Sequence, residues 1–259
     1  MKCREIIDII EGMCPLDAAC EWDNPGLIVG DKDAEIHSIM VALDATEEVI
    51  EAAISQRVNL LITHHPLIFG KIKKINADDI VGKRLIRLIQ NGINCYAAHT
   101  KFDVKVMAIL AASMLGLEAP EVLEVTAIRD GVEEGIGRVS DVYESSAKIW
   151  IEKLKASFEL ENVIVYGDID KIVKRVAISP GSGKGMIEHA IAKRADILIT
   201  GDIGHHDGLD AVESGITVVD AGHYGLEYIF IDYMARVLEH KCNDARIITC
   251  KAGVPYKII

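Results

Sequence analysis

Two pairs of adjacent histidines, and carboxylates spaced four residues from a histidine, are the features of this chain whose types and spacing could do chemistry. His64 and His65 stand in LLITHHPLIFG, and His205 and His206 in ITGDIGHHD. Asp103 follows His99 by four positions in HTKFD, and Glu227 follows His223 by four in GHYGLE. Pro66 biases His65 toward extended backbone, so the two rings of the first pair point differently, which suits two metal ions. The same pair could instead cap a helix and pack. Asp103 reads equally as a ligand or as the N-cap of a helix ending near Gly116. His223 and Glu227 either face one crevice or form a favourable surface pair. Together, His64, His65, Asp103, His223 and Glu227 supply imidazole and carboxylate without thiolate, the donors of a catalytic divalent site rather than a structural zinc site. Asp103 and Glu227 are the candidates to bridge two ions that share and acidify a water.

Such side chains need elements to deliver them. Short runs of Val, Ile and Leu alternate with amphipathic stretches, the pattern of a mainly parallel sheet covered by helices. Strands are expected near 38–44, 58–63, 93–98, 163–166, 172–179, 197–200, 216–220 and 246–250. His64, His65, His99, His205, His206 and His223 fall just beyond such strands, where parallel sheets place their ligand crevice. The signals also repeat. SIMVALDATEEVIEAAISQRVNLLITHH parallels IVKRVAISPGSGKGMIEHAIAKRADILITGD, and GINCYAAHT parallels GITVVDAGH, with FGKIKKINADDIVG additional in the first copy. The expected fold class is therefore α/β, two duplicated α/β units with mixed, mainly parallel sheets flanked by helices and a metal site between the halves. Residues 1–122 form the first repeat and 123–259 the second, with room for interlacing. The joint falls within 117–137, where AP, RDG and EEG supply turn signals.

Composition bounds the partners. The 259 residues carry 40 Asp or Glu against 28 Lys or Arg, a net charge of −12, which argues against a nucleic-acid backbone as partner. No apolar run approaches the ~18 residues of a membrane span, so a cytoplasmic protein with no membrane partner is expected. The six cysteines lack C-x-x-C spacing and read as reduced small hydrophobes. SPGSGKGMIEHA lies between a strand and a helix, a context for anion binding or for an ordinary turn. It is not a P-loop, because Ile178 and Gly185 occupy positions that the pattern reserves for Gly and for Ser or Thr. Trp22 with Asp23, Asn24 and Gly26 reads as a turn pinned by a buried ring. His37, His189 and His240 read as surface or packing residues.

The blocks AACEWDNPGLIVG, ITHHP, AHTKFD, GDIGHHD and AGHYGLE, in that order from Ala18 to Glu227, resemble the signature of the GTP cyclohydrolase 1 type 2 family, the dinuclear metal centre hexameric proteins. The resemblance implies a duplicated α/β fold assembled as a toroidal homo-hexamer, with two divalent metal ions per subunit (Zn, Mn, Fe, Co or Ni). Family metal ligands carry over onto His64, His65, Asp103, His223 and Glu227, and His99 matches a neighbouring polar position. His205 and His206 fall near the cavity as substrate or proton-handling groups, or are simply polar residues starting a helix, and Asp202 could orient one of them. At its length the chain resembles the form without an inserted middle domain. The implied function is a dinuclear divalent-metal hydrolase, in which metal-bound hydroxide attacks a nucleotide-like small molecule while His99, His205 or His206 delivers a proton. The alternative is a non-catalytic metal-binding or metal-trafficking hexameric scaffold or regulatory protein.

Overall fold

In the computed structural model, which describes residues 1–258, each of the eight expected apolar runs forms a strand. In chain order the elements are α1 (Cys3–Met13), β1 (Gly26–Val29), β2 (Ser38–Ala42), α2 (Glu47–Ser55), β3 (Leu60–Thr63), α3 (Ile80–Gln90), β4 (Asn94–Ala97), α4 (His99–Phe102), a π-helical turn (Asp103–Met107) and α5 (Ala108–Met114). Then follow β5 (Glu121–Arg129), β6 (Val132–Ser146), α6 (Ala147–Ser157), β7 (Ile164–Tyr166), β8 (Ile172–Ser182), α7 (Met186–Ala192), β9 (Ile197–Gly201), α8 (His205–Glu213), β10 (Thr217–Asp220), α9 (His223–Glu227), α10 (Ile229–Lys241) and β11 (Arg246–Cys250). They group into two compact units. Met1–Phe102 together with the chain from Tyr228 onward forms one, and Asp103–Glu227 the other.

The first unit holds a five-stranded sheet in the order β1-β4-β3-β2-β11. β11, β2, β3 and β4 run parallel, and β1 is antiparallel to β4. β2, β3 and β4 are buried along their whole length, which is why each reads as an unbroken apolar run. Val49 and Ile50 of α2 and Leu85 and Leu88 of α3 form one core cluster with Met40, Leu61 and Cys95 of the sheet. Both helices are capped by side chains that accept a backbone N–H, Thr46 from Val49 and Asp79 from Gly82.

The second unit holds a six-stranded sheet, β5-β6-β8-β9-β10-β7. Only β8, β9 and β10 are parallel; the pairings β5–β6, β6–β8 and β10–β7 are antiparallel. This sheet is thus less parallel than the first. The four-strand order β1-β4-β3-β2 recurs here as β7-β10-β9-β8, with the antiparallel strand at the same edge, as a duplication requires. The other edge differs, and carries the β5–β6 hairpin in place of β11. RDG forms its tight turn, with Asp130 and Gly131 at φ of 51° and 78°, while EEG lies inside β6. β5 and β6 do not read as apolar runs because much of each is exposed and charged. The chain leaves the first unit after Phe102 and returns at Tyr228, so the compact units divide it differently from repeats meeting at 122/123. Among the described residues no helix is long and apolar enough to cross a membrane, and no cysteine forms a disulfide.

Candidate metal centre

In the first unit the parallel ladder runs two residues past the end of β3. His64 N–H donates to Ala42 O at 3.3 Å and His65 N–H to Leu43 O at 3.0 Å. The extended backbone turns the rings apart, with centroids 4.9 Å from each other and planes inclined by 58°. His64 is fully buried against Phe230 at 5.3 Å and Phe102 at 6.3 Å. His65 Nδ1 lies 2.8 Å from Asp44 Oδ1.

His99 follows β4, its N–H donating to His64 O at 2.8 Å, and its ring stands 5.6 and 5.7 Å from those of His64 and His65. Its φ is +39°, a left-handed conformation that costs a non-glycine residue roughly 1–3 kcal/mol. Asp23, whose side chain is wholly buried, holds it there with Oδ1 2.5 Å from His99 Nδ1. Asp23 also accepts the N–H of Thr100 at 3.1 Å, together with the Thr100 hydroxyl. Burial works against the Asp23 carboxylate, but these hydrogen bonds outweigh it and keep its pKa below the ordinary value. Behind the same turn, buried Lys101 donates to the Tyr96 hydroxyl, which donates to Glu11 at 3.1 Å. Burial lowers the Lys101 pKa and raises that of Tyr96. Trp22 and Phe69 meet the His99 ring edge-on at 5.8 and 5.5 Å.

In the second unit Asp220, at the end of β10, accepts N–H groups from Asp202 at 3.1 Å and from Ile203 and Gly222 at 2.8 Å. It thereby ties together the loops after β9 and β10. Asp202, at φ +55°, places Oδ2 2.7 Å from His223 Nδ1. One helical turn later the buried Glu227 carboxylate lies 3.0 Å from His223 Nε2. Gly181, at φ +84°, passes so close that a Cβ there would stand 2.6 Å from Glu227 Oε1, so only glycine leaves the carboxylate its space. Asp103 opens the π-helical turn with Oδ1 buried, and single π turns within helices are frequent at functional sites.

Three histidines, His65, His99 and His223, are thus each held at Nδ1 by an aspartate. That contact orients each ring, and in His223 the opposite nitrogen, Nε2, meets the Glu227 carboxylate. His64, His65 and Glu227 each offer a ligand atom, all within 4.8 Å of one another. Two imidazoles and a carboxylate without thiolate are the donor chemistry of a divalent ion.

Other expectations change. The helix starts at His99, so Asp103 is not its N-cap. His205 and His206 lie exposed at the start of α8 with ring centroids 5.3 Å apart, and Asp202 holds His223 instead of either of them. Trp22 is 66% exposed; the buried pin of that turn is Asp23. In the glycine-rich segment Gly183 lets the chain touch Thr200, whose Cγ2 a Cβ would approach to 2.2 Å. α7 is only seven residues long, and the segment is a packing turn. Asp44, just past β2, also belongs to the site through His65, although nothing in its local sequence marks it apart from its place after a strand.

The sequence model of the Duf34/NIF3 (NGG1p interacting factor 3) family matches residues 1–252. A curated relative from Clostridium acetobutylicum, named GTP cyclohydrolase 1 type 2 homolog, is 37% identical over 267 residues, covering 99% of this chain and 98% of its own. Among solved structures, a Bacillus cereus protein related to NIF3 superposes with a TM-score of 0.88 at 25% identity, covering 100% of this chain and 99% of that one. Reduced HcgD from Methanocaldococcus jannaschii superposes with a TM-score of 0.83 at 34% identity, covering 96% and 97%.

Proposed function

The chain belongs to the Duf34/NIF3 family, and on that premise we propose that it is a divalent-metal-dependent hydrolase of a nucleotide-like small molecule. In this reading His64, His65, Asp103, His223 and Glu227 hold two divalent ions. The observation that carries it is the convergence of ligand atoms from His64, His65 and Glu227 within 4.8 Å. A bound divalent ion supplies Lewis acidity and a water of lowered pKa. Asp44 and Asp202 keep His65 and His223 oriented for ligation. Asp23 keeps His99 in the tautomer whose Nε2 can take up or give a proton. His205 and His206 contact substrate from the start of α8. The name of the Clostridium relative makes GTP the first substrate to try. Assembly as a homo-hexamer in the cytoplasm completes the reading.

The test is metal content per protomer by elemental mass spectrometry, on protein purified without chelator or affinity tag, with circular dichroism as the folding check. About two ions are expected in the wild type, with sharp loss in Glu227→Ala and Asp103→Ala and none in His240→Ala. Metal retained in the first two variants sinks the ligand assignment. Formate release from GTP with Mn, Fe or Zn is the activity assay. Retained metal without turnover on GTP or other nucleotides replaces the hydrolase with a non-catalytic metal-binding or trafficking scaffold.

A further inference from the structure

A cavity of about 690 Å³ in the first unit borders His65, and its wall includes Asp44, Glu48, Phe69, Arg84 and the segment Ala252–Pro255. Of the five proposed metal ligands only His65 lines it. Arg84 lies on α3 among three basic residues, of which two are committed to carboxylates of α2. Lys83 donates to Glu47 at 2.6 Å and Arg87 to Glu51 at 2.9 Å. Arg84 makes no hydrogen bond or ion pair among the described residues, although its Nε is buried. Glu47 feels the Arg84 charge but does not bond to it, and a buried Nε donor without an acceptor is costly.

None of the nearby acids bonds to Arg84: Glu51 accepts from Arg87, Asp79 caps α3 through Gly82, and Asp78 is exposed. Asp44 is engaged with His65 at 2.8 Å and Glu47 with Lys83, while Glu48 is exposed to solvent. Guanidinium stays charged at all relevant pH values, and its planar fork matches a carboxylate or phosphate. Phe69, 60% exposed, offers an apolar surface in the same wall.

The geometry points to an oxyanion subsite, in which Arg84 binds the carboxylate or phosphate group of a small molecule whose remaining part reaches His65. The assignment of that molecule as substrate rests on the hydrolase reading; the anion site itself does not.

Titration calorimetry with inorganic phosphate and, separately, acetate as probes tests it on the full chain as purified, with metal content measured in each sample. At least one probe is expected to bind the wild type, at least tenfold more weakly to Arg84→Gln, with intermediate affinity for Arg84→Lys and unchanged affinity for Lys83→Gln. Preference for phosphate or for acetate identifies the group recognised. Wild-type affinity in Arg84→Gln, equal loss in Lys83→Gln, or no binding of either probe to the wild type overturns the proposal. Loss of metal together with the anion in Arg84→Gln also overturns it, since the arginine would then be supporting the metal site. An Arg84-dependent anion site in a wild-type protein that holds no metal leaves the subsite standing and removes the hydrolase reading.

Discussion

His99 shows how much one buried carboxylate can organise. Its backbone is left-handed and its ring is flanked by His64, His65, Trp22 and Phe69, yet its orientation is set by Asp23, 76 residues away in sequence. Asp23→Asn keeps the shape but removes the charge that accepts from His99 and Thr100. The expected cost is about 2 kcal/mol, in the range of hydrogen bonds to a charged acceptor, read from denaturant unfolding at pH 7. The sign of the pH dependence follows from the lowered Asp23 pKa. A carboxyl whose folded pKa lies below its unfolded value of about 3.9 stabilises the fold above that value and loses the contribution as pH falls through the folded pKa. The stability gap between wild type and Asp23→Asn should therefore be full at pH 7 and shrink steadily below about pH 4. A gap that widens on acidification would contradict the assignment.

At the scale of elements, the candidate ligands stand where regular structure ends. β3 hands on to His64 and His65 without breaking the ladder, α9 spaces His223 and Glu227 by one turn, and the loop after β9 is drawn to the loop after β10 by Asp220. Gly181, near the end of β8, tests whether this packing matters. Gly181→Ala must place a Cβ at 2.6 Å from Glu227 Oε1 in a left-handed conformation. A loss of about 1–3 kcal/mol and reduced metal content are expected, read by thermal melting and elemental analysis. Gly185→Ala, at φ −75° with nothing within 4 Å of the new Cβ, should change neither. Equal behaviour of the two variants would remove the steric role of Gly181.

At the scale of the whole molecule, the chain changes compact unit at Phe102–Asp103 and again at Glu227–Tyr228. Each crossing therefore has a proposed ligand beside it. The second unit presents β5 as a sheet edge, with Ile128 and Val132 of the hairpin exposed at 67% and 63%; the proposed hexamer is tested at this scale. Light scattering after size-exclusion chromatography is expected to give about six times the 28.3 kDa of one chain. A mass near that of a single chain would remove the hexamer from the proposed function.

The sequence by itself determined the strands whose burial on both faces leaves an unbroken apolar run, the repeated order in which they come, and the placement of histidines at their ends. It also determined the His223–Glu227 pair, because a spacing of four in a helix is a local rule. Only the tertiary structure decided which aspartate serves which histidine: Asp44 with His65 and Asp202 with His223, each 21 residues apart, and Asp23 with His99. The one-sided hairpin strands β5 and β6 belong to the same category. Hydrophobic periodicity records which face of a segment is buried, and so reports on local elements and their covered sides. It carries nothing about which strand ends lie side by side, because sheet order is settled by long-range packing, and a loop aspartate has the same local signature whether it faces water or a histidine.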